Sequence, residues 1–114
     1  MKHEGLQKAV SCLRAVIYDP KGLPELEETD PSPLAQAIEK TYNRSSRLLD
    51  MGELALKTGK KLYAPPRIAS YESVLALINS VETWIYKKHL LKMHHAAQDV
   101  FVLLTELAKQ PNTS

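Results

Sequence analysis

The apolar positions of this chain recur at helical spacing, and along the C-terminal third they change faces. From Ser70 to Lys109 neither glycine nor proline interrupts the chain, so about forty residues can be helical without a breaker. At about 100° per residue, Val74, Leu77, Ile78, Val81, Trp84 and Ile85 fall on one face. Extending that face meets Lys88, Lys92, Asp99 and Glu106, which are charged. The apolar face of the second half is Leu90, Met93, Ala97, Val100, Phe101, Leu104 and Leu107, rotated by roughly 130°. Either one long helix serves two packing partners, or two helices meet at the basic segment from Lys87 to His95. A continuous helix is the expectation, because no cap or breaker marks the junction. A break near Lys88 would instead give a closed four-helix bundle.

Two earlier segments carry simpler stripes. Leu6, Val10, Leu13 and Ile17 recur at four-three-four spacing, with Ala9 and Val16 beside them and Lys8, Ser11 and Arg14 outside. This predicts a helix over about 4–19, stopped at Asp19-Pro20 because a residue before proline avoids the helical region. After a loop over 20–32, Ser32-Pro33 reads as a cap followed by proline at the first helical position. The second helix, over 33–58, has a seam of Leu34, Ile38, Thr41, Ser45, Leu48, Gly52 and Ala55, flanked by Tyr42, Leu49 and Leu56. Its small members would let a neighbouring helix approach closely. Gly59 suits the position just past the helix end. A connector over 59–69 holds Pro65-Pro66, and Ser70 caps a last helical stretch over 70–109, with Glu72 favourably placed in the first turn.

No segment alternates as a strand does, so the fold class is all-α: an antiparallel bundle of three helices with a long C-terminal helix, in one domain over 1–114. A helix of that length outreaches the other two and leaves its second apolar face uncovered. The seven residues from Leu90 to Leu107 are therefore expected to form a protein interface, for a second copy in a dimer or for a partner helix. The expected function is a non-catalytic interaction or assembly protein.

Charge adds an alternative. The net charge is only +2, too small to argue for nucleic acid by itself. Between Asp19 and Glu39, however, six acids face Lys21 alone, and between Lys40 and Arg67 seven bases face Asp50 and Glu53. Lys40, Arg44 and Arg47 share one helical face, Lys60, Lys61 and Arg67 follow with Tyr63 among them, and Lys87, Lys88 and Lys92 form a second patch. These nine cations are the candidate nucleic-acid contacts.

Catalytic, cofactor and metal sites are not expected. No nucleophile stands beside a base, no glycine loop suits a phosphate, and His89, His94 and His95 lack the i,i+3 or i,i+4 spacing that two metal ligands on a helix need. Cys12 is the only cysteine, which excludes an internal disulfide and suits a small buried core position. Glu4 and Arg14 break any apolar run at the start, and no window resembles a membrane span, so a cytoplasmic protein is expected. His89-Leu90-Leu91-Lys92 resembles the motif of histidine-phosphotransfer domains. That resemblance implies a four-helix bundle with His89 as phosphate acceptor and Lys92 as its electrostatic partner. The sequence departs from the family at Met93, where a small residue, usually glycine, gives the partner access.

Overall fold

In the computed structural model, which describes residues 3–19, 21–23, 32–59 and 68–109, the first two stripes form the expected helices. Helix α1 spans Glu4–Ile17 and α2 spans Ser32–Thr58. On α1, Leu6, Val10, Leu13 and Val16 are buried while Lys8, Ser11 and Arg14 are exposed. On α2, six of the seven seam residues are buried and Ile38 is half-buried. Gly59 has φ +64° and its N–H donates to the Ala55 carbonyl at 2.9 Å. It is thus the left-handed residue that ends α2, a conformation glycine adopts without a Cβ clash.

The last stretch is two helices, α3 at Tyr71–Asn79 and α4 at Trp84–Lys109. The expected continuous helix is therefore corrected, and the break falls at Ser80–Thr83 rather than near Lys88. Its cause is local. The Ser80 hydroxyl donates to the Leu77 carbonyl at 2.6 Å, and the N–H groups of Ser80 and Val81 turn back to carbonyls three residues earlier. A serine that bonds its own backbone, followed by β-branched Val81 and Thr83, weakens helix continuation without any glycine or proline. Helix α4 then starts afresh, its first return bond running from the Lys87 N–H to the Thr83 carbonyl. At its start α3 is capped as expected, the Ser70 hydroxyl accepting from the Ser73 N–H.

Helices α2 and α4 run in the same sense. Leu34 and Ala37 share a cluster with Tyr86 and Leu90 near their N-termini, and further along Gly52 lies at Val100. Helices α1 and α3 run the opposite way, so consecutive helices alternate in direction as an antiparallel bundle requires. Each packs on both α2 and α4, and the two do not pack on each other. Helix α1 covers the C-terminal halves of α2 and α4, making one core of Leu6, Val10, Leu13, Leu48, Met93, Ala97 and Val100, among others. Helix α3 covers their N-terminal halves, placing Val74, Ile78 and Val81 against Leu34, Ala37 and Leu90.

The reversal at Ser80–Thr83 buries both apolar faces within one chain. The second face begins at Tyr86, and Tyr86, Leu90, Met93, Ala97, Val100 and Leu104 form its buried line. Trp84 and Ile85, grouped by spacing with the Val74 face, are left 64% and 58% exposed. Cys12, expected in the core, is exposed.

The small seam of α2 has its intended consequence at Gly52. A Cβ there would stand 2.6 Å from Cγ2 of Val10 and 3.3 Å from Cγ1 of Val100. Gly52→Ala gains about 1 kcal/mol of helix propensity, but overpacking against a rigid β-branched side chain costs about 1–3 kcal/mol. The substitution should lower stability in urea unfolding, and in a Val10→Ala background, itself weakened by lost core packing, the same Gly52→Ala change should no longer destabilise. A Gly52→Ala chain more stable than the parent would show that α1 is not held at this spacing.

Candidate functional site

Five of the seven residues expected to form an interface are core. Leu90, Met93, Ala97 and Val100 are fully buried, Leu104 is 5% exposed, and Phe101 and Leu107 are half-buried against the same core. The physical reason is the break before α4, which lets α1 and α2 of the same chain cover this face. The apolar surface left outside is elsewhere: Tyr18, Leu54 and Val102 are exposed singly, and Trp84 and Ile85 are exposed as neighbours on the first turn of α4.

Those two side chains head a continuous outer face. Residues 84, 85, 88, 92 and 95 follow helical spacing, and Trp84, Ile85, Lys88, Lys92 and His95 are all exposed. Lys87 flanks them, its ammonium 3.4 Å from the Asn79 carbonyl across the α3–α4 turn. The face thus combines an apolar head with a basic body.

The basic row expected on α2 is broken at its centre. Lys40 and Arg47 are exposed, but Arg44 is 3% exposed and belongs to the interior. Its Nε donates to the Ala69 carbonyl at 3.0 Å, and Nη2 donates to Oε1 of Gln98 at 2.6 Å. The guanidinium lies 5.5 Å from the centre of the Phe101 ring, within the range of a cation–π contact. Arg44 therefore ties α2 to the segment entering α3 and to α4. Burial holds its guanidinium below the ordinary arginine value, while the nearby Glu72 and Tyr71 act in the opposite direction. Lys60, Lys61, Tyr63 and Arg67 lie outside the described residues.

Two histidines are also interior. The His89 imidazole lies under Gly22, where a Cβ would stand 2.5 Å from its Cε1. Burial lowers its pKa, with Asp19 opposing and Lys92 reinforcing. A phosphate acceptor has to face its donor, so this enclosed ring does not fit the role implied by the phosphotransfer resemblance. The His94 ring is fully buried and stacks on Tyr71 with centroids 4.5 Å apart and planes 10° from parallel. Its Nε2 is 3.0 Å from the Tyr71 carbonyl and so carries the proton, while Nδ1 has no partner. Among the described residues no group of three or more histidine, cysteine or acidic side chains could hold a metal ion. No helix among them is long and apolar enough to cross a membrane. The chain matches no known family model, no curated protein and no solved structure.

His94 gives the fold a defined acid sensitivity. Burial brings its pKa from 6.5 down to about 4; the Tyr71 carbonyl opposes this, and the charges of Arg44 and His95 add to it. The unfolded chain thus takes up this proton more readily than the folded one. Stability is complete above the unfolded value and falls as pH drops from 6.5 toward 4. The loss attributable to this ring is on the order of 3 kcal/mol. Urea unfolding across that range should show a steeper decline for the parent chain than for His94→Gln. Parallel profiles would mean that the ring is not held neutral by the fold.

Proposed function

We propose that this chain is a non-catalytic helical assembly protein whose docking surface is the outer N-terminal face of α4, and that its partner is a second copy of itself. The observation that carries this reading is the exposure of Trp84 and Ile85, side by side, on a molecule that buries its other long apolar stripes. Large aromatic and branched side chains at such exposure favour a partner surface, and a contiguous apolar patch rimmed by charge is the usual form of an interaction site.

Charge supports a self-partner. The face beneath Trp84 carries Lys87, Lys88 and Lys92, and the stretch from Asp19 to Glu39 of the same chain carries six acids against one base. Asp19 and Glu39, its two ends, are both exposed. Two copies can therefore match basic face to acidic segment, which a C2 pairing would do twice. Tyr86, Leu90 and Met93, on the buried side of the same turns, hold this face from within.

Light scattering on a sizing column, over a wide concentration range, tests this. A mass that rises to that of a dimer is expected, with weakening at high salt. Replacing Trp84 and Ile85 together by serine should return the chain to a monomer without loss of helical signal, since neither residue is part of the core. A monomer at every concentration would overturn the reading. Salt-sensitive retention of a generic RNA by such a monomer would instead favour phosphate binding through Lys40, Arg47, Lys88 and Lys92.

A further inference from the structure

The outer face of α4 continues past its basic body. Beyond His95, helical spacing carries it through Asp99, Val102 and Glu106, all exposed. From Trp84 to Glu106 the strip is about 33 Å long at helical rise. Val102 and Leu103 stand about five full turns after Trp84 and Ile85, so the two apolar pairs point the same way. Leu103 is half-buried, and the other three are exposed.

The order of side chains along this strip is self-complementary. Trp84 and Ile85 lie as far before the point between Met93 and His94 as Val102 and Leu103 lie beyond it. Lys88 lies as far before that point as Asp99 lies beyond. A second copy laid antiparallel on the strip, with a two-fold axis at that point, sets apolar pair on apolar pair and Lys88 on Asp99, each twice. Lys92 and His95 fall beside the axis, where the long lysine stem lets the ammonium turn to solvent.

The receiving end is also shaped for this contact. Between α1 and α4 an open cleft of about 510 Å³ is lined by Gly5, Lys8, Ala9, Asp99, Val102 and Leu103. It exists because α1 offers only small residues there. Even a Cβ on Gly5 would meet nothing nearer than Cδ2 of Leu103, at 3.9 Å. On the other wall Val102 is 42% exposed. The cleft has room for an indole, and Lys8 would set an ammonium beside the ring.

We propose that two copies pair antiparallel along the outer faces of α4. Trp84 and Ile85 of each copy enter the α1–α4 cleft of the other, and Lys88 of each meets Asp99 of the other. This rests on the self-association reading and adds to it the receiving surface, the register and the acid. Of the acids available to the basic face, Asp99 is the one that this register brings to it. The pairing is isologous, so it closes at two chains.

Trp84 is the sole tryptophan, and its fluorescence therefore reports entry into the cleft. Light scattering and tryptophan emission are read on the full chain over one concentration range. The expected result is a dimer whose formation shifts the emission to shorter wavelength. Lys88→Glu and Asp99→Lys, both at exposed positions, should each weaken pairing roughly tenfold, because two surface charge contacts become repulsive. An equal mixture of the two variants should pair with the parent's affinity, since one contact is then reversed and the other native. The emission shift needs no variant, so it stands whatever the substitutions do to folding. A dimer that Asp99→Lys leaves unweakened, or a mixture no tighter than its components, overturns this register while self-association stands. So does a dimer whose emission remains that of a solvent-exposed indole. A monomer at every concentration overturns both.

Discussion

The turn at Ser80–Thr83 is the constraint on which the rest of the molecule depends. A helix running unbroken from Ser70 to Lys109 would point its two apolar stripes in directions roughly 130° apart, and one chain of this length could cover only the first. Ending α3 at Asn79 and restarting at Trp84 lets the second stripe choose its own register, beginning at Tyr86. Helix α3 can then lie antiparallel to both long helices and seal their N-terminal halves. Helix α1 does the same for the C-terminal halves. The two short helices are alternatives in space, each completing a three-helix cross-section around the α2–α4 pair. That division explains why the core forms two clusters.

The joint between those clusters is polar, and Arg44 organises it. At this level of the bundle α3 is only beginning, so its apolar cover is incomplete. The guanidinium reaches the Ala69 carbonyl, the Gln98 amide and the Phe101 face at once. The neighbouring His94 stacks on Tyr71 and bonds its carbonyl. Both interactions grip the chain as it enters α3, a helix with only Val74 and Ile78 fully within the core. An apolar side chain in place of Arg44 could fill the volume, but it could not bind three separate polar and aromatic partners whose positions define where α3 starts. Specificity of arrangement, bought against a desolvation cost, is a known use of buried charge.

Much of the architecture was legible in the sequence because it rests on local rules. The stripes of α1 and α2, the Ser70 cap, the Gly59 terminus and the close approach at Gly52 follow from spacing and from single-residue conformational preference. The break before α4 did not follow, because no residue there forbids a helix; Ser80, Val81 and Thr83 each weaken it slightly, and tertiary packing exploits the sum. Arg44 shows a second limit. It stands four residues after Lys40 and three before Arg47, yet equally three after Thr41 and four before Leu48, so periodicity assigns it to the outer row and to the seam alike. Charge suggested the former, and the polar joint required the latter. His89 and His94 lie on the buried line of α4 at the same helical spacing as Leu90 and Met93, a signal that their clustering with lysines obscured.

Helix α3 runs from the polar joint at Arg44 to the exposed patch on α4. Its first turn lines a cavity beside Arg44, and its last residue leads into the turn that presents Trp84 and Ile85. Between them lie nine residues, a rod of about 14 Å at helical rise, too short to bend and held by few buried side chains. The Arg44 and His94 contacts at its entry fix the axial position of this rod, and the Ser80–Thr83 turn is fixed with it. Lys87 bonded to the Asn79 carbonyl extends that restriction onto α4 at the edge of the exposed patch. Arg44 on α2 and the uncovered Trp84 on α4 therefore lie at the two ends of one lightly anchored helix, α3.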